Sequence, residues 1–389
     1  MKFQNQFAFY RTPKVIFGTG EVLKIGLVSK AFGKKCILVH SLSVAKNHEI
    51  WHSITNSLIT EGVHVELLQV SGEPSPELVD NAVASFKNMD FVIAIGGGSV
   101  IDAGKAIAAM YPVQEPVIDF LEVVGKRKPD GRKIPFIAIP TTSGTGSEAS
   151  ANAVLSKIGV NGFKRSLRHD NYVPDIALID PELSLSCPAD ITAACGMDAL
   201  TQLIESYTST KASPITDSLV ESALPLVKDA LVTSVTKGSD IAARTAMAYA
   251  SFISGITLAN AGLGVVHGLA SIFGSIVPIP HGVVCGTLLP SALKYTINKL
   301  RITSPDSVAL KKFANTGRLL TGSASADNDA CDRLIDTVYN WVDIFSIPRL
   351  SAFGIKDTGL SLLIKENPNK NNAVQLTETE IIDMIKERI

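Results

Sequence analysis

Two histidines in an uncharged, glycine-rich run are the residues best placed to do chemistry in this chain. His267 and His281 lie in Gly264-Val-Val-His-Gly-Leu-Ala-Ser-Ile-Phe-Gly-Ser-Ile-Val-Pro-Ile-Pro-His-Gly282, and imidazole serves both as a metal ligand and as a proton carrier near neutral pH. Upstream, in Gly196-Met-Asp-Ala-Leu-Thr-Gln-Leu-Ile-Glu205, Asp198 and Gln202 are four residues apart, a spacing that puts both on one face of a helix. A carboxylate, an amide oxygen and two imidazoles could therefore converge on one divalent cation. The plainer alternative is that each histidine is a hydrogen-bonded core residue and that the Asp-x-x-x-Gln pair is an ordinary helical pair.

Two further segments offer backbone and hydroxyl groups. Ile95-Gly-Gly-Gly-Ser99 follows a β-branched run and opens a helical pattern. Gly96, Gly97, Gly98 and Ser99 would let backbone N–H groups at a helix N-terminus approach a pyrophosphate. The pattern is neither G-x-G-x-x-G nor a P-loop, and a tight strand-to-helix turn is its bland reading. Pro140-Thr-Thr-Ser-Gly-Thr-Gly-Ser-Glu148 also follows a strand pattern; Thr141, Thr142, Ser143 and Ser147 could reach the same phosphates, or the ribose and nicotinamide of a dinucleotide. Two such loops at the carboxyl ends of neighbouring strands predict a nucleotide crevice.

The elements that must hold these segments are of two kinds. The first half alternates β-branched runs with helical patterns, which predicts a parallel sheet covered by helices: strands over 35–40, 63–68, 90–95 and 134–139, and helices over 44–61 and 77–88. Beyond Asp180-Pro181 the strand runs cease and Ala/Leu/Ser-rich helical periodicity takes over. The fold class is thus α/β, a Rossmann-like parallel-sheet domain followed by an all-helical C-terminal domain. The boundary falls near 183–188, giving domains 1–185 and 186–389, packed closely around a cleft.

Composition narrows the partners. With 36 Lys+Arg against 37 Asp+Glu, the net charge of -1 leaves no electrostatic footprint for nucleic acid or an anionic membrane, so a small molecule is expected. The five cysteines form no Cys-x-x-Cys pair, and their odd number argues against a disulfide framework; a reducing cytoplasm is the expected setting. The opening Met-Lys-Phe-Gln-Asn-Gln lacks the apolar core of a signal peptide. Between Arg244 and Lys294 there is no charged residue, but glycines, Pro278, Asn260 and His267 interrupt the run, which reads as buried helices lining an internal site rather than a membrane span.

Taken together, Val15-Ile-Phe-Gly-Thr-Gly20, Gly96 to Ser99 with Asp102 and Lys105, Thr141 to Glu148, Ile179-Asp180-Pro181, Gly196-Met-Asp-Ala-Leu and Pro280-His281-Gly282 resemble the iron-containing (group III) alcohol dehydrogenases, within the dehydroquinate synthase-like superfamily. The resemblance runs over nearly the whole chain. It implies an N-terminal α/β cofactor domain, a helical metal domain, and nicotinamide-dependent interconversion of an alcohol and an aldehyde or ketone by hydride transfer, in a homodimer or larger homo-oligomer. It places cofactor contacts at Gly96 to Ser99, Asp102, Thr141, Thr142, Ser143 and Ser147, with Asn152 and Lys164 as further contacts. It places the metal ligands, an Asp and three His in most members, at Asp198, Gln202, His267 and His281.

Three departures bear on the chemistry. Gln202 stands where most relatives have His; it is neutral too, but a carbonyl oxygen is a harder donor than imidazole, so Fe(II), Mn(II) and Zn(II) are all open, as is loss of the metal. Ser271 stands where many relatives carry a proton-relaying His, and a hydroxyl can pass a proton along a chain but not store one. No carboxylate stands at Ser41, where NAD-specific relatives place an Asp, so NADP is as admissible as NAD, with His40 and Lys46 as nearby cations. The expected activity is a metal-assisted NAD(P)-dependent oxidoreductase, with Asp198, His267, His281 and Ser271 catalytic. Two alternatives are a metal-free NAD(P)H-dependent reductase or lyase-like member of the superfamily, and a non-catalytic nucleotide-binding protein. The apolar neighbours Phe252, Leu263, Ile272 and Phe273 suggest a neutral alcohol.

Overall fold

A computed structural model describes residues 6–159, 162–364 and 367–389; the N-terminal stretch used above to argue against a signal peptide lies, apart from Gln6, outside the described residues. Six strands form one parallel sheet: β1 (Lys14–Phe17), β2 (Lys35–Ser41), β3 (His64–Val70), β4 (Phe91–Gly96), β5 (Phe136–Pro140) and β8 (Ile176–Ile179), in the order β1-β8-β5-β4-β2-β3. Between β5 and β8 the chain makes an antiparallel hairpin of β6 (Asn152–Lys157) and β7 (Phe163–Arg168).

The central strands are buried along their whole length, as a sheet covered on both faces must be. Their side chains alternate between two cores. Ile37, Val39, Val92, Ala94 and Ala138 face one layer, with α2 (Pro76–Ser85) and α3 (Gly98–Met110). Cys36, Leu38, Phe91, Ile93, Ile137 and Ile139 face the other, with Ile54 and Leu58 of α1 (His48–Thr60). This period of two is the pleat of the strand expressed as packing. The single helix expected over 44–61 is broken: Leu42–Lys46 forms one short helix, and the Asn47 side chain, accepting from the Ile50 N–H at 3.3 Å, caps α1 as a second. The side-chain cap supplies the N-terminal acceptor that α1 needs.

The strand order reverses at β2. From β2 the chain steps outward to β3, then crosses back to β4 on the other side of β2. In an open α/β sheet the crevice at the carboxyl ends of such a pair is where ligands bind. Ser41 ends β2 and Gly96 ends β4, so both fall at this switch point.

After β8 the described residues are mostly helical: α4 (Ala189–Thr208), α5 (Pro214–Thr236), α6 (Ile241–Ala261), α7 (Val265–Ile276), α8 (His281–Thr303), α9 (Val308–Thr321), α10 (Asp327–Ile344) and α11 (Glu378–Lys386), joined by short turns except before α11, where a longer, largely irregular segment carries only single helical turns at Leu350–Phe353 and Leu360–Leu363. They share one apolar core. Helix α4 is central; it packs against α5, α6 and α8 and is buried from Gly196 through Thr208. Helix α6 is long and apolar enough to cross a membrane, but 67% of its apolar window is buried inside the protein. Its apolarity belongs to this core, as the uncharged run predicted. The hairpin bridges the two halves, with β6 against α3 and β7 against α7.

Candidate active site

The first loop is shaped by close approach. Gly97 caps α3, and Gly98 and Ser99 form its first turn, where unpaired N–H groups and the positive end of the helix dipole favour an anion. A Cβ on Gly98 would come within 2.5 Å of the Thr145 hydroxyl, so a side chain there would collide with the second loop. The two loops thus lie side by side, with Thr142 next to Gly97.

Beneath them is a buried polar anchor. The Lys105 ammonium donates to the carbonyls of Ser147 (2.7 Å), Ser150 (2.8 Å) and Asn152 (2.8 Å). Asp102 accepts from the Ser147 hydroxyl and, at 3.0 Å, from the Val154 N–H. Burial pushes the Lys105 pKa down to about 8, against the pull of Asp102 and Glu148, and pushes Glu148 up to about 7. Asp102, Ser147 and Asn152 are therefore brought together around Lys105, and Asp102 and Ser147 spend hydrogen bonds on each other and on the loop backbone. Lys164 on β7 pairs with Glu73, which also accepts from Ser156 at 2.7 Å. Ser41 stands apart from that cluster, its hydroxyl 2.8 Å from Ser43 and capping the next helix.

Asp198 on α4, His267 in the first turn of α7 and His281 at the start of α8 do converge. Asp198 Oδ1 lies 3.2 Å from His267 Nε2 and 3.8 Å from His281 Nε2. Cys285, one turn along α8 from His281, puts its Sγ 3.7 Å and 3.8 Å from the same two ring nitrogens. Ligand atoms of these four residues all lie within 4.8 Å of one another. Gln202 sits beside them rather than among them: its Nε2 donates to Asp198 Oδ1 at 3.2 Å, and its Oε1 is 2.8 Å from the Ser254 hydroxyl of α6. Ser271 lies one turn beyond His267 and donates back to the His267 carbonyl at 3.1 Å.

Glu205, two turns along α4 from Asp198, went unassigned in the sequence. Its carboxylate accepts from the Val266 N–H at 2.7 Å and lies 2.8 Å from His267 Nδ1. It therefore caps the N-terminus of α7 and fixes the ring, holding a proton on Nδ1 and turning Nε2 toward Asp198. A carboxylate behind a histidine in this way is the usual support of a metal ligand.

The electrostatics suit a cation. Burial alone would raise the Asp198 pKa, but His281 and His267 bring it below the ordinary value. Burial lowers His281 to about 4, leaving it neutral at pH 7 with its Nδ1 unpartnered. His267 is raised: burial opposes its charge, but Cys285, Asp198 and Glu205 together outweigh that. Without a cation the Cys285 thiol is pushed up to about 12 by burial. A carboxylate, two imidazoles and a thiol this close are a donor set that a divalent ion fits. His281, with 26% of its side chain exposed against 2% for Asp198, marks the accessible side of the cluster.

A glycine loop at the sheet's switch point suits a nucleotide, and the helical cluster of metal-type donors suits a divalent cation, the two parts a nucleotide-dependent, metal-assisted oxidoreductase needs. Residues 12–181 match the family model for iron-containing alcohol dehydrogenase, and residues 192–389 match that for the C-terminal part of the Fe-containing alcohol dehydrogenase family. The chain belongs to that family. It is 30% identical to an NAD-dependent methanol dehydrogenase of Bacillus methanolicus, over 92% of each chain. It is 32% identical to an NADPH-dependent butanol dehydrogenase of Clostridium saccharobutylicum, over 84% of this chain and 82% of that one. The crystal structure of a 1,3-propanediol oxidoreductase superposes with a TM-score of 0.87 at 28% identity, covering 99% of this chain and all of that one. The chain is an NAD(P)-dependent oxidoreductase of the alcohol dehydrogenase type.

Proposed function

We propose that the cofactor and metal halves divide the labour at residue 185, with 1–185 binding NAD(P) and 186–389 binding the metal and substrate. The cofactor lies across the β2/β4 switch point. Gly96, Gly97, Gly98 and Ser99 take its phosphates; Thr141, Thr142, Ser143 and Ser147 close over it, with Asp102 holding that loop; Ser41 lies toward the adenosine ribose; and Asn152 and Lys164 approach from the hairpin. Asp198, His267 and His281, with Gln202 in the same wall, hold a divalent metal, iron by the family's own description. When bound, the cation polarises the substrate oxygen as a Lewis acid and the nicotinamide exchanges the hydride.

The chain's own residues do the rest. Glu205 keeps the proton on His267 Nδ1, so Nε2 stays available as a donor. Neutral His281 forms the wall nearest the cleft. Ser271 passes the alcohol proton outward, its hydroxyl first releasing the His267 carbonyl. The apolar core of α6 to α8 excludes water from the reacting atoms. Phe252 and Phe273 are buried in that core, leaving half-buried Leu263 and Ile272 as the apolar neighbours nearer the surface. The substrate is a neutral primary alcohol or its aldehyde, as the names of the methanol and butanol relatives suggest. The enzyme works as a homodimer or larger assembly in the cytoplasm.

The convergence of Asp198, His267 and His281 from three helices carries this reading. A metal-free reductase is favoured by one fact: Asp198 Oδ1 accepts from Gln202 and lies 3.2 Å from His267 Nε2, so its lone pairs have partners among the chain's own side chains. Metal analysis of anaerobically purified protein, with aldehyde reduction by NADH and NADPH before and after chelation, tests both. One equivalent of metal and chelator-sensitive turnover is the expected result; unchanged turnover in metal-free protein establishes the other reading.

A further inference from the structure

We propose that Cys285 is a thiolate ligand of the metal centre, so that this chain holds its cation with Asp198, His267, His281 and Cys285 rather than through Gln202. The proposal rests on the metal reading above and names the fourth donor, which that reading leaves to Gln202.

Geometry carries it. A tetrahedron with metal–nitrogen and metal–oxygen bonds of about 2.0–2.1 Å and a metal–sulfur bond of about 2.3 Å has edges of roughly 3.3 Å between light atoms and roughly 3.6 Å to sulfur. The observed edges are 3.2 and 3.8 Å from Asp198 Oδ1 to the two imidazoles, and 3.7 and 3.8 Å from Cys285 Sγ to the same nitrogens. Four of the six edges thus lie near those of a cation site with sulfur at one corner, and the other two are within 4.8 Å. His281 and Cys285 are four apart on α8, so one helix face presents both donors.

Gln202 is engaged elsewhere. Its amide nitrogen, which has no free lone pair for a metal, is the atom directed at Asp198, while its oxygen is held at Ser254. In this arrangement Gln202 orients the carboxylate from behind, as Glu205 orients His267.

The chemistry balances. On loading, the Cys285 S–H bond breaks, sulfur keeps the electron pair and donates it to the cation, and the proton leaves to solvent. The thiolate then joins Asp198 as a second anionic donor to the divalent ion, whereas the Gln202 amide would be a neutral one. A soft thiolate also shifts the preference toward zinc and away from the hard-ligand metals. Coordination can expand on the His281 side, the exposed one, when a substrate oxygen arrives.

The test uses the full chain, stripped with a chelator and reloaded with Co(II) or Zn(II). One equivalent of cobalt should give a near-ultraviolet sulfur-to-cobalt charge-transfer band that is absent from Cys285→Ser. X-ray absorption of the zinc form should show one sulfur at about 2.3 Å. Cys285→Ala should weaken zinc binding at least about 1,000-fold, and Gln202→Ala by about 10- to 100-fold, the effect of a supporting residue. Metal bound by nitrogen and oxygen alone overturns the Cys285 assignment while leaving the metal reading intact. Failure to bind either ion overturns both. Should the Cys285 variants not fold, the sulfur shell of the unaltered protein decides the matter.

Discussion

The cofactor crevice and the metal pocket solve the same problem, holding polar groups in an apolar molecule, by opposite means. In the crevice the candidate groups are backbone N–H groups and hydroxyls in two loops, one after β4 and one after β5, and within each loop neighbours in sequence supply them. Their position depends on what is missing, a side chain at Gly98, and on Lys105 pinning three carbonyls from below. In the pocket the candidate groups are side chains from α4, α7 and α8, and α4 supports two of them, with Glu205 behind His267 and Gln202 beside Asp198. A crevice of the first kind tolerates changes in exposed side chains and fails when the backbone shifts. A pocket of the second kind fails one ligand at a time.

That contrast can be broken most sharply at the ligands. His267→Ala and His281→Ala should each lower turnover by at least about 10,000-fold, the upper range for loss of an acid–base or metal-activated step, with circular dichroism unchanged and NADH still bound. Gly98→Val should do the reverse: its side chain drives into Thr145, so NADH affinity falls at least about 100-fold, equivalent to about 3 kcal/mol, while metal content is retained. Isothermal titration with NADH and metal analysis of both sets would show whether the regions fail independently.

Supporting residues should give smaller effects. Glu205→Gln removes the charge behind His267 and should weaken metal binding about 10- to 100-fold, measured by competition with a chromophoric chelator. In the crevice, burial raises the Glu148 pKa from 4.5 to about 7. The protonated form therefore contributes stability that is fully present below about pH 4.5 and lost as the pH rises through about 7, an effect on the order of 3 kcal/mol. Glu148→Gln should remove that part of the pH dependence in denaturant titrations between these limits. A wild-type slope unchanged by the substitution would show that Glu148 is not held in this way.

Much of the α/β half was legible because its central strands are long β-branched runs that separate cleanly from helical patterns. The short strands β1 and β8 were not, since four residues carry too little periodicity and both are fixed by pairing across the sheet. Hairpin strand β7, Phe-Lys-Arg-Ser-Leu-Arg, has only two apolar residues and reads as a loop without its partner. In the pocket, Asp198, His267 and His281 stood out by residue type. Cys285 did not, because a single cysteine outside any Cys-x-x-Cys pair carries no metal signature of its own, although its spacing from His281 equals that of Gln202 from Asp198. Glu205 completes the same helical face two turns on, and only the fold of α7 against α4 shows what it holds.

One contact joins the two regions directly. Gly146 of the second loop and Gly255 of α6 meet backbone to backbone, and a Cβ on Gly146 would fall 2.5 Å from the Gly255 Cα. Next to Gly255 is Ser254, whose hydroxyl holds Gln202, which in turn holds Asp198. Even a methyl group at either glycine would act as a wedge, prising the loop that closes on the nucleotide away from the helix that steadies the metal-binding carboxylate. At this point the two halves touch through main chain alone, so the spacing between nucleotide loop and metal-side helix is set by two absent side chains.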